Sequence, residues 1–269
     1  MKTLVMKFGG ASVRVPQQFS QVAEIIIRRR EVYPRIVVVV SAMGDTTNQL
    51  LELAKTVHPS PPRRELDMLI SVGERISISL LAMALALKGK EAISFTGSQS
   101  GILTSLDHSE ARIVDVRPHR IIRSLDAGKI VIVAGFQGVS SQGEITTLGR
   151  GGSDTSAVAL GVALKAERVE FYKDVEGIYS SDPKKDSEAT HFPQLTYDQA
   201  LDIVRGGAKV LHVRAVELAK RNDLPLQVLS FVMGSQERSK GTRIQSRESK
   251  EEFTLSKDYV YEGEGESVC

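Results

Sequence analysis

The sequence is poor in the features that mark several large classes of protein. It has one cysteine, Cys269, the last of its 269 residues. No disulfide can form within the chain, and a reducing cytoplasm is the simplest compartment. There is no tryptophan and only 5% aromatic residues, so the stacking platforms of single-strand nucleic-acid binders are missing. The 35 basic and 33 acidic residues leave a net charge of +2, and the basic ones are dispersed, so neither nucleic acid nor a membrane surface is an expected partner. The N-terminal apolar stretch is too short for a signal-peptide core, and no run approaches the roughly 20 apolar residues of a membrane span. Five histidines stand without metal-site spacing, so no protein-held metal is expected. Neither a P-loop pattern nor an internal repeat occurs.

What is present is ordinary for a soluble globular protein: 41% hydrophobic and 25% charged residues, in a chain long enough for one large α/β domain or two coupled lobes. Thr3 to Phe8, Ile36 to Val40, Ala92 to Phe95, Ile130 to Ala134, Arg168 to Tyr172 and Leu226 to Ser230 read as strands, the last of these as the final one. Uninterrupted β-branched runs such as Ile36 to Val40 suit strands buried on both faces. Helical periodicity covers Gln17 to Arg30, a segment after Asn48, a long stretch from about Arg63 to Leu87, Ser153 to Lys165, Thr196 to Val204 and Val213 to Arg221. Strands alternating with helices predict a mostly parallel central sheet sandwiched by helices, with ligands beyond the carboxyl ends of the strands. From about Ser246 the chain is polar and acid-rich, which predicts a solvated tail over 246–269.

Four motifs carry chemistry. Lys7-Phe8-Gly9-Gly10-Ala11-Ser12 runs from a strand into a glycine pair and a helical start. Glycines admit an anion to backbone amides, the helix start adds a positive dipole end, and Lys7 neutralises phosphate charge. Gly149-Arg150-Gly151-Gly152-Ser153-Asp154 sets three glycines around an arginine before a helix. Such a loop offers amides to a phosphoryl group while Arg150 forks onto a carboxylate, and Asp154 can hold Lys7 in place. Lys173-Asp174 through Tyr179 to Asp182-Pro183 suits a nucleotide-lining loop, and Gly207-Ala208-Lys209 gives a second phosphate lysine. Taken singly, each is also explained by a plain turn, a capping serine or a solvated lysine. Together they suit a kinase whose acceptor is a carboxylate. With a pKa of about 3.9, an aspartate side chain is already ionised at neutral pH, so no general base is needed. Transfer then depends on positioning and charge neutralisation.

These motifs, with Ser41-Ala42-Met43-Gly44-Asp45-Thr46-Thr47-Asn48, Ser71-Val72-Gly73-Glu74-Arg75, Phe95-Thr96-Gly97-Ser98-Gln99-Ser100-Gly101 and Gly135-Phe136-Gln137-Gly138, resemble the catalytic domain of aspartate kinases over roughly residues 2 to 245. The resemblance implies a two-lobed, three-layer amino-acid kinase fold over residues 1–245. The part before about residue 150 would serve mainly aspartate and the part after it mainly ATP. It implies transfer of the ATP γ-phosphoryl group to L-aspartate, giving 4-phospho-L-aspartate for lysine, threonine and methionine synthesis, with Mg²⁺ arriving on ATP. By matching motif, Lys7, Asp154 and Lys209 would be catalytic. Ser41, Thr47, Glu74, Phe136, Arg150 and Ser153 would bind aspartate, with Glu74 on the α-ammonium and Arg150 on the α-carboxylate. Gly9, Gly10, Ser12, Lys173, Asp174, Tyr179, Asp182, Pro183 and Lys184 would line the nucleotide. The family usually has Thr at the place of Lys173, Pro at that of Val213, and small or apolar residues at Arg205-Gly206. Its members commonly continue into two regulatory ACT domains. The tail here is too short for one, which leads to an expectation of no intrinsic feedback inhibition and leaves open a homodimer through the catalytic domain. Other amino-acid kinases (acetylglutamate, glutamate, carbamate or uridylate kinases) and a non-catalytic nucleotide-binding subunit are the alternatives.

Overall fold

The computed structural model describes residues 2–183, 185–232, 241–246 and 260–262. Its centre is an eight-stranded sheet. Strands β1 (Thr3–Phe8), β2 (Arg35–Val40) and β3 (Ala92–Phe95) belong to it, with β6 (Ile130–Ala134), β9 (Arg168–Lys173), β12 (Gln194–Leu195), β13 (Leu226–Ser230) and β14 (Thr242–Ile244). The spatial order is β12-β14-β13-β9-β1-β2-β6-β3. All neighbours are parallel except β13 and β14.

Side-chain alternation along these strands builds two cores. Leu4, Met6 and Phe8 enter one with Ile36, Val38, Val40, Ile132 and Tyr172; Val5 enters the other with Val37, Val39, Val131, Val133, Val169 and Phe171. Helices α1 (Gln18–Arg30) and α4 (Val72–Leu87) cover the first face; α5 (His119–Asp126), α6 (Gly152–Ala163), α7 (Tyr197–Arg205) and α8 (Val213–Arg221) contribute to the second core. Burial on both faces is why the central strands read as continuous apolar runs. On the first face Phe8 and Tyr172 stack with centroids 4.5 Å apart. The Tyr172 hydroxyl donates to Glu170, a fully buried carboxylate that Arg29 also holds.

The three-layer, mostly parallel architecture is the expected one, with additions. A second sheet of four strands, β4 (Ile102–Thr104), β5 (Ile113–Val116), β7 (Gln137–Ser140) and β8 (Ile145–Thr147), is ordered β5-β4-β7-β8. A two-stranded ribbon pairs β10 (Ile178–Tyr179) with β11 (His191–Phe192). Leu226–Ser230 is not the last strand, since β14 follows it. Helix α2 (Thr46–Val57) follows the Ser41 loop. The stretch from Arg63 to Leu87 is two helices, α3 (Arg63–Ile70) and α4, parting at Ser71, whose carbonyl accepts the Gln137 side-chain amide at 2.9 Å. Contrary to the expectation from apolar runs, this stretch is long and apolar enough to cross a membrane by length and composition alone. Its buried face is already taken: Ile78, Leu81 and Leu85 pack in the first core.

The tail also departs from expectation. Tyr261 is 5% exposed and packs in the second core. Val260 pairs with Asn222 through both its backbone groups, and the Glu262 amide donates to the Ile113 carbonyl at 3.0 Å. These three residues are docked rather than solvated; most of the remaining tail lies outside the described residues.

Candidate active site

The parity of the strands decides where charge collects. Lys7 is in phase with Val5, and Lys173 with Val169 and Phe171, so both lysines face α6 from neighbouring strands. Asp154, in the first turn of α6, meets them. Its Oδ1 lies 2.6 Å from Lys7 Nζ and its Oδ2 3.5 Å from Lys173 Nζ. Lys7 and Asp154 are both buried. Burial alone would push the Asp154 carboxyl up, but Lys173 and Lys7 outweigh it and hold its pKa at about 2. Burial brings Lys173 down to about 8 against the opposing pull of Asp154, and Lys7 lowers it further. Asp154 is therefore ionised near neutral pH, and Lys173 is mostly protonated there.

On one side, the Gly9-Gly10 turn is packed under the Ser41 loop. A Cβ on Gly10 would stand 2.8 Å from the Ala42 carbonyl oxygen, so no side chain fits. The Gly44 amide donates to the Gly10 carbonyl (3.1 Å), and Ser12 Oγ donates to the Gly9 carbonyl (2.7 Å). Ser41 donates its amide to Phe8, and Thr47 sits in the first turn of α2. Glu74, in the first turn of α4, is 2% exposed. One of its oxygens accepts the Ala42 amide at 3.1 Å; the other, Oε2, is buried and has no partner among the described residues. Burial pushes this carboxyl up to about 7, against the backbone amides that favour its charge. A carboxylate held this way is ready for a cation that a ligand supplies.

The arginine loop lies between β8 and α6. Gly149 (φ +68°) and Gly151 (φ +74°) flank Arg150, whose side chain is exposed. At Gly151 glycine is required twice over: the φ is left-handed, and a Cβ would lie 2.0 Å from the His212 ring. That contact ties this loop to the one carrying Lys209. Phe136, with φ +68°, donates its amide to Ser156 Oγ and accepts the Leu148 amide, and Ser153 is buried in the first turn of α6.

Beyond Lys173 opens a cleft of about 730 Å³, lined among others by Asp174, Tyr179, Asp182, Pro183 and Lys209. Its size suits a nucleotide-sized ligand. Lys209 is exposed on this cleft and is not among the groups bonded to Asp154; Lys173 takes that place. Lys184 lies outside the described residues.

Residues 2–230 match the model of the amino acid kinase family. The chain belongs to this family. Its curated relatives include an aspartokinase of Bacillus sp. strain MGA3, 48% identical over 263 residues, which are 98% of this chain and 62% of that protein. Among solved structures, aspartate kinase from Synechocystis is similar at 43% identity and a TM-score of 0.79, covering 93% of this chain and 40% of that one. E. coli aspartokinase III in complex with aspartate and ADP is similar at 26% identity and a TM-score of 0.81, covering 93% and 66%. The chain thus spans less than two thirds of the length of the curated aspartokinases it matches.

Within this amino acid kinase domain, several organising residues are not apparent from the sequence. Lys173, expected as a nucleotide contact, also shares Asp154 with Lys7. Asp67 on α3, fully buried, accepts from Ser109 N and Oγ, Thr147 N and Oγ1, and His108 Nδ1. Its one sequence signal is its spacing of seven residues before Glu74, which one unbroken helix would put on a single face. Arg214 donates to the carbonyl just before Gly149; nothing local in the sequence marks it.

Proposed function

We propose that the chain transfers the γ-phosphoryl group of MgATP to the β-carboxylate of L-aspartate, giving 4-phospho-L-aspartate and ADP. An aspartate oxygen attacks the γ-phosphorus, and the bond to the β,γ-bridging oxygen breaks. Both reactants are anions, so the protein's part is to hold them together and offset their charge. The observation that carries this reading is the buried Asp154 bridging Lys7 and Lys173 at the carboxyl ends of adjacent strands. The relatives' names supply the acceptor, as does the aspartate bound with ADP in the E. coli enzyme.

In this reading Lys7 and Lys209 neutralise the transferring phosphoryl group, with Asp154 fixing Lys7. Gly9, Gly10 and Ser12 line its oxygens. Glu74 receives the α-ammonium, Arg150 the α-carboxylate, and Ser41, Thr47, Phe136 and Ser153 complete the aspartate site. Lys173, Asp174, Tyr179, Asp182 and Pro183 line the nucleotide. Magnesium enters bound to phosphate oxygens and water. In this reading the enzyme works in the cytoplasm, and residues up to about 150 serve mainly aspartate while later ones serve mainly ATP.

The test is hydroxylamine trapping with ATP, magnesium and a panel of amino acids. Aspartate should give an acyl hydroxamate in step with ADP release. ADP without hydroxamate, or preference for another acceptor such as acetylglutamate, would sink the reading.

A further inference from the structure

Residues 260–262 lie outside the stretch that matches the family, yet they are bonded to groups that adjoin the proposed site. Arg214, in the first turn of α8, donates Nη1 to the Leu148 carbonyl at 2.6 Å and Nη2 to the Ala111 carbonyl at 3.1 Å. Both carbonyls belong to fully buried residues, and Leu148 immediately precedes Gly149. Glu262 accepts from the same guanidinium twice, from Nε at 2.6 Å and from Nη2 at 2.8 Å. The glutamate is itself locked: its Oε2 accepts the Ile113 amide at 3.0 Å, and its own amide donates to the Ile113 carbonyl at 3.0 Å. At the other end of α8, Asn222 pairs with Val260, and Tyr261 fills the core between. The strap thus grips α8 beyond its last residue and in its first turn.

We infer that Arg214 is a positioning residue for the Arg150 loop, and that Glu262 fixes it in that role. The inference rests on the aspartate kinase reading for its ligand but not for its geometry. A guanidinium spanning two carbonyls from different segments needs an anion to set its plane and offset its burial. Glu262 is that anion. Without it Arg214 leaves Leu148, and the Gly149–Gly151 turn loses its anchor on the β8 side. His212, two residues before Arg214, packs on Gly151, so α8 then holds the loop from one side only. The strap therefore sets how well Arg150 is presented to the substrate carboxylate.

The experiment uses the full chain with Glu262→Gln and, separately, Arg214→Lys, which keeps the cation but loses the fork. Both should raise the KM for aspartate about tenfold while the KM for MgATP stays within about twofold. Amide hydrogen exchange over Gly149–Gly152 should quicken with the core strands unchanged. Wild-type KM values in both variants would overturn the inference. So would equal rises in both KM values with faster exchange throughout, because that is a general loss of stability. If the wild type itself gives no hydroxamate with aspartate, the functional reading fails. The exchange pattern then decides the positioning claim alone: local quickening supports it, and its absence overturns it.

Discussion

A carboxylate as buried as Asp154 stays charged only because two ammonium groups face it. The dependence is mutual, and one substitution exposes it. Asp154→Asn keeps the shape but removes the carboxylate that Lys7 and Lys173 share from adjacent strands. Breaking a buried pair in this way costs about 3–5 kcal/mol, so urea unfolding at neutral pH should show a loss of that order. The Lys173 pKa should fall below its present value of about 8, since Asp154 exerts the largest upward pull on it. Turnover should drop on the order of a hundredfold, because Lys7, proposed to face the transferring phosphoryl group, loses its orientation. Turnover within twofold of wild type in the Asp154→Asn variant would remove Asp154 from the mechanism.

Among the elements, those with the strongest physical signal were the legible ones. Thr3–Phe8, Ala92–Phe95, Ile130–Ala134, Val213–Arg221 and Leu226–Ser230 stand where β-branched runs and helical periodicity put them. The four-stranded sheet was not legible: its strands are three or four residues long and broken by Gly138 and polar residues, and the parallel pairing of β4 with β7 that joins its two hairpins links Leu103 to Val139, far along the chain. Periodicity also ran α3 and α4 together, because nothing local marks the side-chain amide that takes the Ser71 carbonyl. In the site, charge type pointed to Lys7 and Asp154, whereas the sharing of Asp154 with Lys173 depends on strand parity across the sheet. Asp67 shows the same limit and makes a prediction for the element it anchors. Its Oδ1 receives only hydroxyls, which can rotate to accept from an amide, while its Oδ2 receives His108 and two backbone amides. Asp67→Asn should therefore be tolerated at about 1–2 kcal/mol, whereas Asp67→Ala strands five donors and should cost several kcal/mol. Equal losses for the two variants in denaturant unfolding would contradict that division of roles.

At the scale of the whole molecule, the proposed role of Glu74 sets folding against binding. Its carboxyl is raised from 4.5 to about 7 by burial, so the folded protein holds this proton more tightly than the unfolded chain. Between those two values the native state binds more protons, and stability falls as pH rises. By pH 8 the deficit is on the order of 3 kcal/mol, since a tenfold difference in proton affinity is worth about 1.4 kcal/mol. Glu74→Gln removes the charge while keeping the shape. In the absence of ligand, the variant should be more stable than wild type at pH 8 by roughly this amount and nearly equal to it at pH 4.5. Aspartate binding should respond in the opposite sense. In the proposed reading the α-ammonium of aspartate needs the ionised Glu74 carboxylate, so wild-type affinity should fall about tenfold per pH unit below 7. The variant should bind aspartate weakly with no such dependence. Thermal unfolding measured from pH 4.5 to 8 and aspartate KM measured from pH 5 to 8 test both halves on the same two proteins. A Glu74→Gln variant no more stable than wild type at pH 8 would mean the carboxylate has a partner in the free protein. Wild-type aspartate affinity in that variant would mean the ammonium binds elsewhere.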